Sequence, residues 1–398
     1  MKKILKILLP ILAFAQTSIA AEENGLTIKP KGSFDFSIGA LKDNGPHTKK
    51  TVTANKNGYG FLSSASVSIN VENRIEDDIA YGAKVALVTA TRSDRKTPSM
   101  IFFESRAGKI ELGSDKSATT KMKITGYSHA AATAGMWDMW VKPDIRENKI
   151  SYMTNMGNFI DTKARNVNDI EYSRKITYFT PEMSGFQAGV SYVPDSSNIG
   201  ANATTDGAYH MHAISPGFGY NFDVKDAVGW GVSQKLIVNE DLSFKASVVG
   251  ETGKVVARDV SNKTIVKNLK FKKLKTYTVG AEMKYSQFAL SGGYSNYMKS
   301  FTSTLDDAGY TKSHIYSLGT KYSFDKLSIS AHFFSSNHRK NKVNATTLAL
   351  DYKLAPGLLP YIEITPFNAS GWYKNPAGVR VSDSHKGALL LLGMKMEF

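Results

Sequence analysis

The 398 residues include no cysteine. That excludes a small disulfide-stapled domain and any thiolate metal site, while a chain this long needs no staple to bury a core. Long apolar runs are missing too. Beyond the N-terminus no stretch approaches the roughly eighteen consecutive apolar residues of a membrane-spanning helix. No glycine fingerprint for a dinucleotide stands between a strand and a helix, and no Asp/Asn-rich calcium loop is present. The histidines, among them His129, His314, His332, His338 and His385, fit no Ser/His/Asp or metal-ligand spacing. His210 and His212 form an H-x-H pair that lacks a third ligand. Neither a cofactor nor a metal is therefore expected, and the chain reads as a non-enzyme.

The N-terminus sets the compartment. Lys2, Lys3 and Lys6 lead into the apolar stretch ILLPILAFA, which is followed by Ser18-Ile19-Ala20. A charged start, a short apolar stretch and small residues at the cleavage positions make residues 1–20 a signal peptide. The mature chain, 21–398, is expected to form a single domain. The formal charge is +15, and removing the three signal lysines leaves +12. Outside the cytoplasm, a basic excess points to anionic lipid headgroups or anionic solutes rather than nucleic acid.

From Thr27 onward the pattern has period two. In FLSSASVSINV, Phe61, Val67, Ile69 and Val71 share one face, with Ser64, Ser66, Ser68 and Asn70 on the other. Successive side chains of a strand point to opposite faces, but a soluble sandwich alternates in the same way. The connections discriminate better. Seven short junctions (76–78, 106–108, 181–185, 239–241, 286–287, 325–326 and 355–357) alternate with longer polar stretches at 42–57, 93–98, 115–168, from 195, 252–274, 299–312, 337–341 and 371–384. Short turns at one end and longer loops at the other belong to a transmembrane β-barrel. Seven hairpins plus a first and a last strand make sixteen strands. Both 208–222 and 228–238 look strand-like, and AVGWGVSQKLIV is the favoured wall strand. Tyr178, Phe186, Tyr285, Phe288, Tyr322, Phe324, Tyr352, Tyr361 and Phe398 cluster beside the short turns or the C-terminus, as an interfacial aromatic girdle would.

The stretches KGSFDFSIGAL, FFESRAGKIELGSDKSATT, ITYFTPEMSGFQAGVSYVPD and the closing LLLGMKMEF resemble the general porins of Gram-negative outer membranes, most of all those of alphaproteobacteria. The resemblance spans essentially all of the mature chain. It implies a 16-stranded antiparallel barrel, a homotrimer, and a third outer loop folded inward to narrow the lumen. That loop matches the longest polar interruption, 115–168. It further implies that acidic groups on the loop face a basic cluster on the wall. On the loop side the candidates are Asp138, Asp144 and Glu147, beside Lys142 and Arg146. Parity opposite to Ile79, Ile110 and Ile176 gives Arg74, Lys84, Lys109 and Lys175 as wall candidates facing the lumen. The C-terminal strand, with Met394, Met396 and Phe398 on one face, is the tag read by the outer-membrane assembly machinery in that family.

There are departures. The Pro-Glu-Phe-Gly motif of enterobacterial porins is missing from the long loop, the second outer connection is short, and Leu389 and Leu391 carry the parity that should face water. The expected function is passive diffusion of small hydrophilic solutes and ions through a water-filled channel in the cell outer membrane, with a mild anion preference. Lipopolysaccharide and outer-membrane lipid are expected neighbours, and nucleic acid is not an expected partner. A substrate-specific channel is the alternative, ahead of a barrel enzyme or an adhesin.

Overall fold

The computed structural model describes residues 25–43, 58–75, 79–90, 93–96, 98–129, 137–140, 156, 162–164, 170–195, 220–259, 271–302, 312–338, 341–374 and 379–398. The wall strands are β1 (Thr27–Asp43), β2 (Gly58–Ile75), β3 (Ile79–Ala90), β4 (Ser93–Lys96 and Ser99–Ser105), β5 (Gly108–Gly113) and β6 (Lys175–Phe179). They continue as β7 (Phe186–Asp195), β8 (Tyr220–Ile237), β9 (Leu242–Asp259), β10 (Leu274–Tyr285), β11 (Phe288–Met298) and β12 (Ser313–Phe324). The last four are β13 (Leu327–His338), β14 (Asn341–Tyr352), β15 (Leu358–Lys374) and β16 (Arg380–Glu397).

Seventeen strand segments join one antiparallel sheet. The two segments of β4 both pair with β3, so the wall has sixteen strands. Strand β1 pairs with β2 on one side and with β16 on the other, the latter from Ser33↔Glu397 to Asp43↔Gly387. This last pairing closes the barrel and removes the free edge that hydrocarbon would not tolerate.

Every turn at one end of the barrel is short. Gly185 (φ 80°) and Gly357 (φ 72°) take left-handed backbone there, where a side chain would be strained. The outer face is apolar. Phe34, Phe36, Ile38, Phe61, Ile69, Val85, Ile176, Val190, Leu348, Ile364, Leu390, Leu392 and Met394 are all exposed, which in water would be a liability and in lipid is the requirement. Among the girdle candidates, Tyr178, Phe186, Tyr285, Tyr322, Phe324, Tyr352 and Phe398 are exposed on this face. Tyr361 is not. It points inward, is 5% exposed, and its hydroxyl donates to Asp35 Oδ1 at 2.9 Å.

Several boundaries differ from the sequence reading. Strand β8 begins at Tyr220, so it contains the favoured 228–237 and also takes the last residues of 208–222, while 208–219 lie outside the described residues. A register shift between Lys225 and Val228 explains why one long strand read as two. Residues 252–259, expected to be loop, extend β9 against β8 from Thr252↔Val228 to Asp259↔Tyr220. The polar stretch 93–98 is mostly strand as well, since Ser93 and Lys96 pair with Ala90 and Val88. Polarity misleads at these points because strand ends that rise above the membrane need no apolar face.

Candidate functional site

The connection from β5 to β6 runs from Ser114 to Arg174, and its described residues 114–129, 137–140 and 156 pack against the inner face of the wall. Its root is an ionic cluster on the inner faces of β3 to β6. Lys84 Nζ lies 3.3 Å from Asp115 Oδ2, Lys121 Nζ lies 3.5 Å from the same oxygen, and Lys175 Nζ donates to the Asp115 carbonyl. Lys121 also pairs with Glu111. Lys109 reaches Glu111 at 3.4 Å and Glu104 at 3.9 Å, with its ammonium 4.6 Å from the Phe102 ring centroid. Ser117 caps the short helix α1 (Ala118–Met122) by accepting the Thr120 amide.

Beyond α1 the loop follows the wall, and small residues make room for it. The Ala118 amide donates to Ser191 Oγ on β7 at 2.8 Å, the Ile124 amide to Ser247 Oγ on β9 at 3.2 Å, and the Gly126 amide to Ser317 Oγ on β12 at 2.9 Å. Ser291 of β11 donates back to the Gly126 carbonyl. Gly280 and Gly319 leave the space in which the Ile124 and Gly126 carbonyls sit, since a Cβ at either position would overlap that oxygen. The wall serines thus satisfy loop amides that a purely apolar docking surface would strand.

Aromatic rings hold the next segment. Tyr127 lies against His332 of β13 with ring centroids 4.1 Å apart and planes tilted by 35°, and Trp137 lies 5.7 Å from Phe334. Trp140, on the helix α2 (Trp137–Trp140), occupies the space over Gly39 of β1 and Gly60 of β2. Leu389 and Leu391 belong to the same buried apolar cluster, which also includes Trp137, Phe334, Ile315, Val343 and Phe367, with Trp140 packed against it. Their inward parity therefore needs no bulge. The register of β16 with β1 is unbroken, and these leucines are covered within the barrel rather than wetted.

Of the wall candidates, Lys84 and Lys175 hold the loop root, and Lys109 stands beside it. Arg74 lies apart, exposed near the end of β2. On the loop side, the Asp138 backbone is in α2, but its side chain and all of Lys142, Asp144, Arg146 and Glu147 lie outside the described residues. The sequence reading missed Glu111, Asp115 and Lys121, the acids and base that organise the root. Their proximity depends on the loop turning back against its own strand, which strand parity does not encode.

The root makes a pH prediction. Burial alone would raise the Asp115 carboxyl, but Lys121, the Lys116 amide and Lys84 hold it below its ordinary value of 3.8. A carboxyl depressed in the folded state contributes stability that is complete above the unfolded value and is lost as pH falls through the folded one. The loop should therefore stay anchored from neutral pH down to about 3.8 and loosen below it. Single-channel current noise measured at descending pH checks this. Asp115→Asn should be noisy throughout, without the acidic onset.

Residues 8–371 match the family described as Gram-negative porin. An uncharacterized protein of Rickettsia prowazekii is 31% identical over 449 aligned positions, covering 100% of both chains, and one of Rickettsia conorii is 31% identical over 445, again covering 100% of both. Among solved structures, an anion-selective porin from Comamonas acidovorans superposes with a TM-score of 0.58 at 16% identity, over 94% of this chain and 100% of that one. A variant of the Rh. blastica porin superposes with a TM-score of 0.53 at 13% identity, over 93% and 100%. With a closed sixteen-strand wall, a lipid-compatible outer face and an inward third loop, this chain belongs to the Gram-negative porin family and forms an outer-membrane channel for the passive diffusion of small hydrophilic solutes.

Proposed function

We propose that this channel passes small ions and hydrophilic solutes with a mild preference for anions, and that its narrowest part lies between the loop segment 138–147 and the inner wall of β3 to β6. The observation that carries the anion reading is the charge at the loop root. Lys84, Lys109, Lys121 and Lys175 there stand against Glu104, Glu111 and Asp115, an excess of one positive charge by simple count. The mature chain adds an excess of +12, from +15 less three signal lysines. Charge rings set channel selectivity at close quarters, so a small local excess suffices for a mild preference. The Comamonas acidovorans porin is itself anion-selective, although its 16% identity carries the fold and not the lining residues.

Reversal potentials across a planar bilayer under a salt gradient test the proposal. The expected sign is that of an anion-preferring pore, and Lys109→Glu, which changes the local balance by two charges, should shift it toward cations. Cation selectivity of the parent channel would overturn the anion reading.

The same reading makes residues 1–20 an export signal, the rest one barrel domain, and the assembled form a homotrimer. The second outer connection is only residues 91–92, so subunits would meet through their walls rather than through a latching loop. Met394, Met396 and Phe398 serve as the assembly signal, and phosphorylated lipids of the outer leaflet are neighbours. Catalysis forms no part of the proposal.

A further inference from the structure

Three lysines on the inner wall stand near the short-turn end of the barrel. Lys235 of β8, Lys245 of β9 and Lys284 of β10 are each within three residues of the strand end there. The register puts Lys235 directly opposite Lys245, and Lys245 directly opposite Glu282. Lys284 is therefore the diagonal neighbour of Lys245. Parity points all three inward. Lys235 shares its face with Gly231, where a Cβ would crowd Met122 of the loop. Lys245 shares its face with Ser247, which accepts the Ile124 amide, and Lys284 with Gly280, over which the Ile124 carbonyl sits. The cluster thus lies below the loop in the inner vestibule, out of reach of lipid headgroups.

Stability does not explain this grouping. Directly opposite residues in a sheet have Cβ atoms about 4.5–5.5 Å apart, and like charges at that distance repel. Among the described residues, none of the three lysines forms an ion pair. The carboxylate beside them, Glu282, lies 3.5 Å from His129 Nε2 on the loop. Glu240 and Asp241 stand on the exposed turn between β8 and β9 and pair with none of them. Three lysines against Glu282 leave an excess of two positive charges. At the loop root the lysines are already engaged, Lys84, Lys109 and Lys121 by carboxylates and Lys175 by a carbonyl. The uncommitted positive charge of these inner strands is in the vestibule, where Lys235 and Lys284 are exposed and Lys245 is half-buried.

We propose that Lys235, Lys245 and Lys284 form a binding station for small solutes that carry two or more negative charges close together, of the phosphate-ester and pyrophosphate class. The assignment rests on the anion-preferring channel reading and deepens it, from a bias among ions to a saturable site. Ammonium groups are point charges with rotatable donors and lack the planar fork by which guanidinium selects an oxyanion's shape. The station therefore reads the number of charges. A monovalent anion satisfies one lysine at a time, whereas a dianion bridges two with charge-assisted bonds. Because the vestibule is wet and screened by salt, the bound solute can leave again, as conduction requires.

The test uses the purified full-length protein in a planar bilayer, with chloride current measured while pyrophosphate or acetate is added. Pyrophosphate should reduce the current saturably, and acetate at the same concentration should not. In the pair Lys245→Gln, Lys284→Gln the half-blocking concentration should rise by about tenfold or more, as loss of charge-assisted bonds predicts. The pair Lys245→Arg, Lys284→Arg keeps the charges and should be blocked like the parent. Without pyrophosphate, both pairs should conduct close to the parent level, which also shows that they fold. Equal block by acetate, or undiminished block of the glutamine pair, would overturn the proposal. Reversal potentials separate its failure from that of the channel reading. An anion-selective parent that pyrophosphate does not block would overturn the station alone. A cation-selective parent that pyrophosphate still blocks would overturn the anion preference and leave the station standing.

Discussion

Gly280→Val combined with Gly319→Val should lower single-channel conductance by about a factor of two, because pore width sets the flow of small solutes, and should make the open current noisier. At both positions a Cβ would overlap a loop carbonyl, that of Ile124 at Gly280 and that of Gly126 at Gly319. One side must yield. The wall is held by continuous ladders from β9 through β13, whereas the loop is attached at isolated points such as Ser191, Ser247 and Ser317. Valine suits a strand, so the wall accepts the substitution and the loop moves toward the axis. The strain of such overpacking is about 1–3 kcal/mol per site. A matched control, Ser247→Ala with Ser317→Ala, removes two acceptors without adding volume. It should raise noise while leaving mean conductance near the parent value. Unchanged conductance in the double valine variant would mean that the loop does not bound the conducting path there.

These glycines also mark what the sequence could and could not reveal. The wall was legible because its two faces meet different solvents. Phe34, Phe36 and Ile38 alternate with Asp35 and Ser37, and the closing strand alternates Leu390, Leu392 and Met394 with Gly393 and Lys395. Turn length carried the topology, and the sixteen-strand count followed from it. The inside was harder to read. Parity assigns Leu389, Leu391, Phe334 and Ile315 to water, yet all are buried. Their apolar partners include Trp137 and Trp140, on a loop that has no strand period to betray it. Parity did place Lys84 and Lys175 inward, but it could not say that both would be engaged by Asp115 rather than left facing solute. One signal was available. Gly280, Gly293 and Gly319 fall at inward positions on consecutive strands, an arrangement expected where another backbone must approach the wall closely.

Deletion of Phe398 should cut the yield of assembled protein in the outer membrane by about tenfold, while the channels that do assemble conduct like the parent. The terminal residue is paired in both directions with β1. The Gly32 amide donates to the Phe398 carbonyl at 2.7 Å, and the Phe398 amide donates to the Gly32 carbonyl at 3.0 Å. Two such bonds are together worth about 1–3 kcal/mol, and tenfold corresponds to about 1.4 kcal/mol. At the lipid boundary the cost is greater, because the Gly32 groups would be left without water or partner. The Phe398 ring lies over Gly32, where a Cβ would overlap it, so the seam of the barrel is shaped for this residue. Conductance should not change, because the outward ring at the barrel's end lies far in register from Leu389 and the loop contacts above it. Gly32→Leu separates the two contributions, since it evicts the ring but keeps the backbone bonds. If the exposed ring is what the assembly machinery reads, Gly32→Leu should assemble nearly normally, and Phe398→Ala should fail almost as badly as the deletion. If closure of the seam is limiting instead, Phe398→Ala should be mild and the deletion severe. Quantifying heat-modifiable barrel in isolated outer membranes distinguishes these outcomes, and a normal yield from the deletion would remove Phe398 from assembly altogether.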